Sequence, residues 1–373
     1  MSVKITIVTG KTDQNQFIRL PWSIYRDDPN WVPPLIIDQK EMFDKRRFPF
    51  FGHSEADFFL AWRDGRPVGR IAAIRNNNHL KIYRDDVGFF GFFECINDPD
   101  VANALFNAAA NWLHERGLKW MRGPESYSQN EEAGLLVDGF GSPPVLMMTY
   151  NPAYYSGLLE TAGFNKIMDL YAYAISHADR VPALLAEKVT LIKKRAGFTV
   201  RPLNMRQIDR EVEAIKTIYN AAWSENWGAV PLTDREMDHL VKNLVQIVIP
   251  DMALVAEIDA KPVGISITVP DINEALIKIN GRLLPFGLLK LLWYRRRITG
   301  VRTLIMGVLK EYRKIGIDSV MYYETFKNGL AHGFTHGEMS WILENNHLMR
   351  YALENLEGCQ IYKTYRLYQK AIG

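Results

Sequence analysis

Two stretches of this chain repeat at one fixed spacing. Arg66-Pro67-Val68-Gly69, followed by an apolar run to Ile74, matches Lys261-Pro262-Val263-Gly264 followed by Ile265, and Gly69 and Gly264 stand 195 positions apart. Far downstream, Asn151, Gly163 and Tyr173 align with Asn346, Gly358 and Tyr368 at that same spacing. Short matches arise by chance, but one spacing kept across about a hundred residues marks an internal duplication. A length of 373 residues suits two such halves, at roughly 150 residues per domain.

The halves differ between these anchors. Matching the strand-like Val87–Phe93 with Thr303–Leu309 requires a spacing of 216, so the second half carries extra residues after its first hairpin, within Asp271–Arg302. The first half regains them within Gly123–Tyr150. Each half opens with helical stretches, around Gln16–Tyr25 in the first and around Gln207–Ala222 and Arg235–Val245 in the second. Thr233 and Glu236 have capping-box spacing at the start of the last of these. Hairpins follow at Phe58–Trp62 with Gly69–Ile74, and at Ala253–Ile258 with Pro262–Val269. Then come strand, helix, strand, helix, strand: in the second half Thr303–Leu309, Gly316–His332, Glu338–Leu343, Leu348–Leu356 and Gln360–Tyr368. The pattern predicts an α/β fold (α+β, mixed sheet) in two tandem domains, 1–176 and 198–373, joined by a connecting helix over 177–197.

Composition narrows the function classes. With 47% apolar and 23% charged residues the chain is globular. Its 45 Lys and Arg against 42 Asp and Glu leave +3, so no global field marks a nucleic-acid binder. Cys95 and Cys359 cannot make a disulfide framework or a four-ligand zinc site. The opening MSVKITIVTG reads as a strand rather than a secretion signal, giving a cytoplasmic expectation. His332 and His336 have i, i+4 spacing, but Gly333 and Gly337 point to a helix end, so no metal is expected. Hydrolase motifs of the Gly-x-Ser-x-Gly or His-Glu-x-x-His type are absent.

The segment Val308-Leu309-Lys310-Glu311-Tyr312-Arg313-Lys314-Ile315-Gly316-Ile317-Asp318 joins a strand to a helix. Basic residues and a glycine there gather free backbone N–H groups at a positive helix N-terminus, an anion site suited to a diphosphate. Arg-x-x-Gly in this setting resembles the acyl-CoA pyrophosphate loop of the GNAT N-acetyltransferase superfamily, and the element order of both halves is similar to it. The likeness spans nearly the whole chain as two copies and is closest to bacterial two-domain members.

The resemblance implies an acyl-CoA-dependent N-acyltransferase, using acetyl-CoA or a longer acyl-CoA and a small-molecule or peptide amine as acceptor. It implies that Val308, Lys310, Arg313, Lys314, Ile315, Gly316, Ile317, Asp318 and Ser319 hold the cofactor, with Asn346. The family has Gly or Ala where Asp318 stands; this acid either caps the helix or alters the ligand. At the spacing of 216, Arg313 corresponds to Asn97 and Gly316 to Asp100, in Cys95-Ile96-Asn97-Asp98-Pro99-Asp100. Two carboxylates would repel a diphosphate, so the cofactor site is expected in the second half alone.

Acyl transfer to an amine needs a base, a polarised carbonyl and an acid for the leaving thiolate. By resemblance a splayed strand around Met306–Val308 supplies an N–H to the carbonyl, and Glu338 and Glu344 are the candidate bases. The family's acid is a Tyr seven residues after the Asn that opens the last helix, but those positions are Leu353 and Leu158; Tyr351 lies nearby. Tyr362, Tyr365 and Tyr368 are expected to pack in the core. Asn226 and Trp227, in Ala222–Pro231, fall where GNAT proteins shape the acceptor site. Gly123–Glu132 is a long polar loop, a frequent carrier of function. The run Arg282–Arg297 is apolar with basic ends, too short and interrupted to span a bilayer. Internal packing or a dimer contact is expected for it, with a longer acyl chain or a membrane surface as other guests. A ligand-binding protein that kept the fold and lost the chemistry, or a transferase using a non-CoA donor, stays open as the alternative.

Overall fold

The structure is a computed structural model describing residues 2–175, 179–223 and 226–373. The first half runs β1 (Lys4–Ile7), α1 (Lys11–Arg19), α2 (Pro21–Ile24), α3 (Ile36–Met42), β2 (Glu55–Arg63), β3 (Arg66–Arg75), α4 (Asn77–Tyr83), β4 (Val87–Cys95), α5 (Pro99–His114), β5 (Trp120–Gly123), β6 (Glu125–Ser126), β7 (Glu132–Ala133), β8 (Leu135–Asp138), α6 (Tyr155–Thr161) and β9 (Asn165–Ile175). The second half runs α7 (Ala183–Lys193), β10 (Thr199–Pro202), α8 (Ile208–Trp223), α9 (Asp234–Leu244), β11 (Ala253–Ile258), β12 (Lys261–Pro270), α10 (Asn273–Leu276), α11 (Gly287–Arg295), β13 (Gly300–Val308), α12 (Ile317–Ala331), β14 (His336–Leu343), α13 (His347–Glu354) and β15 (Cys359–Ala371). The expected hairpins are β2–β3 and β11–β12, both with a bulge near the turn. Thr233 and Glu236 close the capping box of α9 through both of its bonds. The stretch around Gln16–Tyr25 divides into α1 and α2, because Pro21 has no N–H to continue the first helix.

The chain forms two compact units that do not coincide with the two sequence halves. One unit comprises Met1–Leu170, Ala275–Leu292 and Lys363–Gly373; the other comprises Tyr171–Glu274 and Trp293–Tyr362. In the first, the strand order β1-β2-β3-β4-β5 is completed by the end of β15, whose Tyr368–Ala371 pair antiparallel with Gly123–Trp120. In the second, β10-β11-β12-β13-β14 is completed by the end of β9. Each sheet thus takes its last strand from the far end of the other half. The extra segment of the second half likewise reaches the first unit: Trp22 Nε1 donates to Asn280 Oδ1 at 2.8 Å, and the Ile36 N–H to the Gly281 carbonyl at 3.0 Å.

Cores cover both faces of the first unit's sheet. On one, Leu105, Phe106, Ala109 and Leu113 of α5 meet Ile71, Phe90, Phe93 and Tyr368. On the other, Phe17 and Ile18 of α1 join Phe43, Phe50, Phe58 and Phe89. In the second unit Ile317 and Met321 of α12 pack on Ala256 and Val263, while Leu185 and Val189 of α7 pack on Val320. The repeated glycines have a reason in this packing. A Cβ at Gly69 would come 2.7 Å from Leu105 Cδ1, and one at Gly264 would come 3.3 Å from Ile317 Cγ2. Each lets the helix after the central strand lie close on its hairpin.

Candidate functional site

In the second unit, β13 and β14 run parallel and pair only from Gly300–Thr303 to His336–Met339. Beyond this, Leu304–Val308 keeps its antiparallel partner β12 but has no pairing to Ser340–Leu343. A gap therefore opens between neighbouring strands in mid-sheet. Leu304, Met306, Val308 and Trp341–Leu343 are only half-buried, unusual for central strands, and the Trp341 indole N–H is buried without a partner.

The loop closing β13 leads to the N-terminus of α12. Gly316 is its N-cap at φ +94°, a left-handed backbone that favours glycine, and no side chain caps the helix. Lys314, at φ +71°, Lys310 and Arg313 are exposed around it. The first-turn N–H groups and the positive end of the helix dipole lie in a turn that carries three exposed cations, with the acids Glu311 and Asp318 beside them; the N–H groups and cations favour an anion. Arg313 also braces the corner, its Nε donating to the Val308 carbonyl at 3.1 Å and its Nη2 to the Ala222 carbonyl at 3.3 Å.

Trp223, ending α8, lies against β13, where a Cβ on Gly307 would sit 2.5 Å from its ring. Asn226 and Trp227 form the turn that follows, both half-buried; Ser224 and Glu225 of that segment lie outside the described residues.

Comparison with known proteins then places the chain. No family model matches it. Bacterial ceramide synthase of Caulobacter vibrioides is 36% identical over 381 residues, covering 99% of this chain and 98% of that protein. Protein YghO of Escherichia coli K12 is 38% identical over 372 residues, covering 97% and 94%. A tandem GNAT protein from the clavulanic acid biosynthesis pathway superposes with a TM-score of 0.59 at 13% identity, covering 100% of this chain and 99% of that one. A GCN5-related N-acetyltransferase from Sphaerobacter thermophilus gives 0.52 at 14% identity, covering 99% and 96%. The chain belongs to one family with the two bacterial relatives, and its fold is tandem GNAT.

This tandem GNAT protein brings most of the residues singled out by sequence to one corner. Val308, Lys310, Arg313, Lys314, Ile315, Gly316, Ile317, Asp318 and Ser319 lie on the β13–α12 turn, within which Ile317 and Ser319 are buried. Asp318 does not cap the helix; it is exposed in the first turn. Asn346 is the N-cap of α13, its Oδ1 accepting from the Met349 N–H at 3.2 Å.

Glu338 is buried and held in a network of Arg302, Ser340 and Tyr362. Tyr362 thus has a polar partner here; Tyr365 and Tyr368 are buried in the first unit, with the Tyr368 hydroxyl donating to Glu160 Oε1 at 3.0 Å. Glu344 is half-buried just past the end of β14, where its carbonyl accepts from Arg350 Nη1. Tyr351 is 71% exposed on α13, and Leu353 is fully buried.

Sequence reasoning missed several features. Ile192 of α7 covers the α12 N-terminus; a Cβ on Gly316 would meet its Cδ1 at 2.7 Å. No motif announces such a cover, because it depends on how a helix distant in sequence packs. In the first unit, Glu94 occupies the position of Lys310 at the spacing of 216, and its Oε2 accepts from the Tyr25 and Tyr155 hydroxyls at 2.9 and 2.7 Å. Burial raises the Glu94 pKa, opposed by Arg70 3.7 Å away. The segment Gly123–Glu132 is a small hairpin, β6 and the start of β7 joined by a turn over 127–131. Burial also raises both thiols, Cys359 to about 12. Among the described residues no group of acids, histidines and cysteines could hold a metal, and no helix is long and apolar enough to cross a membrane.

Proposed function

We propose that the protein is an N-acyltransferase that moves a fatty acyl group from acyl-CoA to the amine of a long-chain amino alcohol, with CoA in the second unit. The observation that carries this reading is the uncapped α12 N-terminus at the mouth of the unpaired stretch of β13 and β14. A diphosphate suits the N–H groups and cations there, and an extended pantetheine arm suits a gap with free strand edges. The Trp341 N–H is a donor for an amide of that arm. A ceramide is an amide of a fatty acid with a long-chain amino alcohol, so the name of the 36%-identical relative supports the acceptor class.

The donor brings an activated thioester. The chain orients it, so that the amine nitrogen bonds to the carbonyl carbon as the C–S bond breaks. An N–H of the unpaired β13 stretch is positioned to stabilise the carbonyl oxygen. Glu344, half-buried just past the end of β14, is the base that takes the ammonium proton through water. Tyr351 is the tyrosine of α13 open to solvent to protonate the thiolate, since Leu353 is in the core. Asn226 and Trp227 line the approach of the acceptor.

Ile192 over Gly316 and Leu353 in the acid position favour a second reading, a GNAT-fold protein with a carrier-bound donor or no turnover. Purified protein incubated with palmitoyl-CoA and a long-chain amino alcohol distinguishes them: N-acyl product by mass spectrometry with equimolar thiol release supports the first, and saturable binding without product supports the second. Glu344→Gln is expected to lower kcat by about 10²-fold or more, with CoA affinity unchanged in calorimetry.

A further inference from the structure

Soluble helices turn their apolar stripe inward, but α11 does the reverse. Its inner face is Gly287, Leu291 and Tyr294, which are buried or half-buried. Its outer face carries Leu288, Leu289, Leu292 and Trp293, and Leu284 and Phe286 continue it in the preceding turn. Exposure of these six runs from 48% at Leu288 to 81% at Leu284. Internal packing, expected from the sequence, thus holds only for the base of the segment, which Trp22 and Ile36 anchor at Asn280 and Gly281. The base fixes the helix while leaving its apolar face uncovered.

Charge selects what covers it. Lys278, Arg282, Lys290, Arg295, Arg296 and Arg297 surround this face, and no acid occurs from Ala275 to Lys310. Arg282, Lys290 and the three consecutive arginines are exposed. Arg297 lies 4.9 Å from the Trp293 ring centroid, an aromatic and a cation at one level, as at a lipid headgroup boundary. An acidic or neutral protein surface would satisfy either the charges or the apolar face; an anionic bilayer satisfies both at once.

We propose that α11 and the turn before it dock the protein on the surface of an anionic phospholipid bilayer, with Leu284, Phe286, Leu289 and Trp293 in the acyl boundary and the basic residues among headgroup phosphates. The docking does not depend on the acyltransferase reading, because it rests on exposure and charge alone. It is a surface contact and requires no spanning helix.

The test is co-sedimentation of the full chain with vesicles of phosphatidylcholine containing phosphatidylglycerol, against phosphatidylcholine alone. Binding about tenfold or more stronger to the anionic vesicles, weakened by salt, is the expected result. Leu289→Glu with Trp293→Glu should abolish it with an unchanged thermal melt, since both side chains are exposed. Quenching of tryptophan fluorescence by brominated lipid should fall in Trp293→Phe. Absence of binding by the wild type, equal binding to both vesicle types, or binding retained in the double variant overturns the proposal. So does a wild-type dimer that the double variant converts to monomer, which would make the face a contact with a second copy.

Discussion

The corner from β4 to α5 and the corner from β13 to α12 descend from one ancestral segment, yet their helix N-termini are satisfied in opposite ways. At α5 the cap is Asp98, whose Oδ1 accepts from the N–H groups of Asp100 and Val101 at 3.0 and 3.2 Å, with Arg63 Nη1 at 2.5 Å on its other oxygen. The chain thus places its own carboxylate where an anionic ligand would sit. At α12 the cap is Gly316, which has no side chain to offer. Where the sequence suggests charge repulsion in the first half, the structure shows the helix N–H groups already bonded to the chain's own carboxylate.

The strand gaps differ in the same sense. Gly91 and Gly307 are equivalent at the spacing of 216. A Cβ on Gly91 would sit 2.4 Å from the Glu125 carbonyl oxygen, because the β6 segment lies against it, whereas the atoms nearest a Cβ on Gly307 are in the Trp223 ring, at 2.5 Å, and the Ala222 Cβ, at 2.9 Å. One gap is closed by backbone; the other is bordered by side chains of α8. A duplicated fold can therefore keep two copies of the architecture while the corresponding corners are filled differently.

Four measurements would break or sharpen this contrast. Gly91→Ala should destabilise the protein by about 3 kcal/mol in urea unfolding, since the backbone of β6 must move, against about 1–2 kcal/mol for Gly307→Ala, where the nearest atoms are side-chain atoms of Trp223 and Ala222. Equal costs would mean that both gaps are closed alike. Gly316→Glu should lower CoA affinity by at least about tenfold, or ~1.4 kcal/mol, in calorimetry, at a backbone cost of about 1–2 kcal/mol for the left-handed φ. Asp98→Ala should leave CoA binding unchanged while costing about 1–2 kcal/mol of stability through the lost cap. CoA binding that responds to Asp98 and not to Gly316 would assign the ligand to the wrong half.

The third measurement concerns Glu125, in the segment closing the first gap. It is buried with Oε2 unpartnered, and burial pushes its pKa from 4.5 to about 8, opposed by Arg122. Between those values the folded chain holds a proton that the unfolded chain has released, so stability falls as pH rises and levels off above about pH 8. Glu125→Gln should flatten this slope in unfolding midpoints taken across the range; an unchanged slope would remove Glu125 as its source. The smallest effect belongs to Asp318→Asn. It gives up about 0.3–1 kcal/mol of favourable dipole interaction and should tighten CoA binding severalfold by relieving repulsion; weaker binding would make Asp318 a ligand contact.

Much of this was legible in the residues. The duplication, the hairpins, the capping box of α9 and the strand-to-helix turn at Gly316 all depend on neighbours close in sequence, where periodicity and turn chemistry report directly on conformation. Even the asymmetry of the two corners could be read from Asp98 and Asp100 against Arg313 and Gly316. The surroundings of Glu338 could not: Glu338 and Glu344 look alike in sequence, and only packing brings Arg302, Ser340 and Tyr362 to Glu338.

Residues near one another in the chain are enough to specify the two-copy α/β architecture and the contrast between a helix capped by Asp98 and one begun by Gly316, because those follow from local backbone preferences and local charge. Packing between distant segments sets the rest: β9 and β15 complete each other's sheets, Ile192 covers Gly316, Glu94 accepts from two tyrosines, and α11 faces outward. Each of these is a contact between segments far apart in the chain. An apolar stretch has the same composition whether buried or exposed, and only packing chooses between the two.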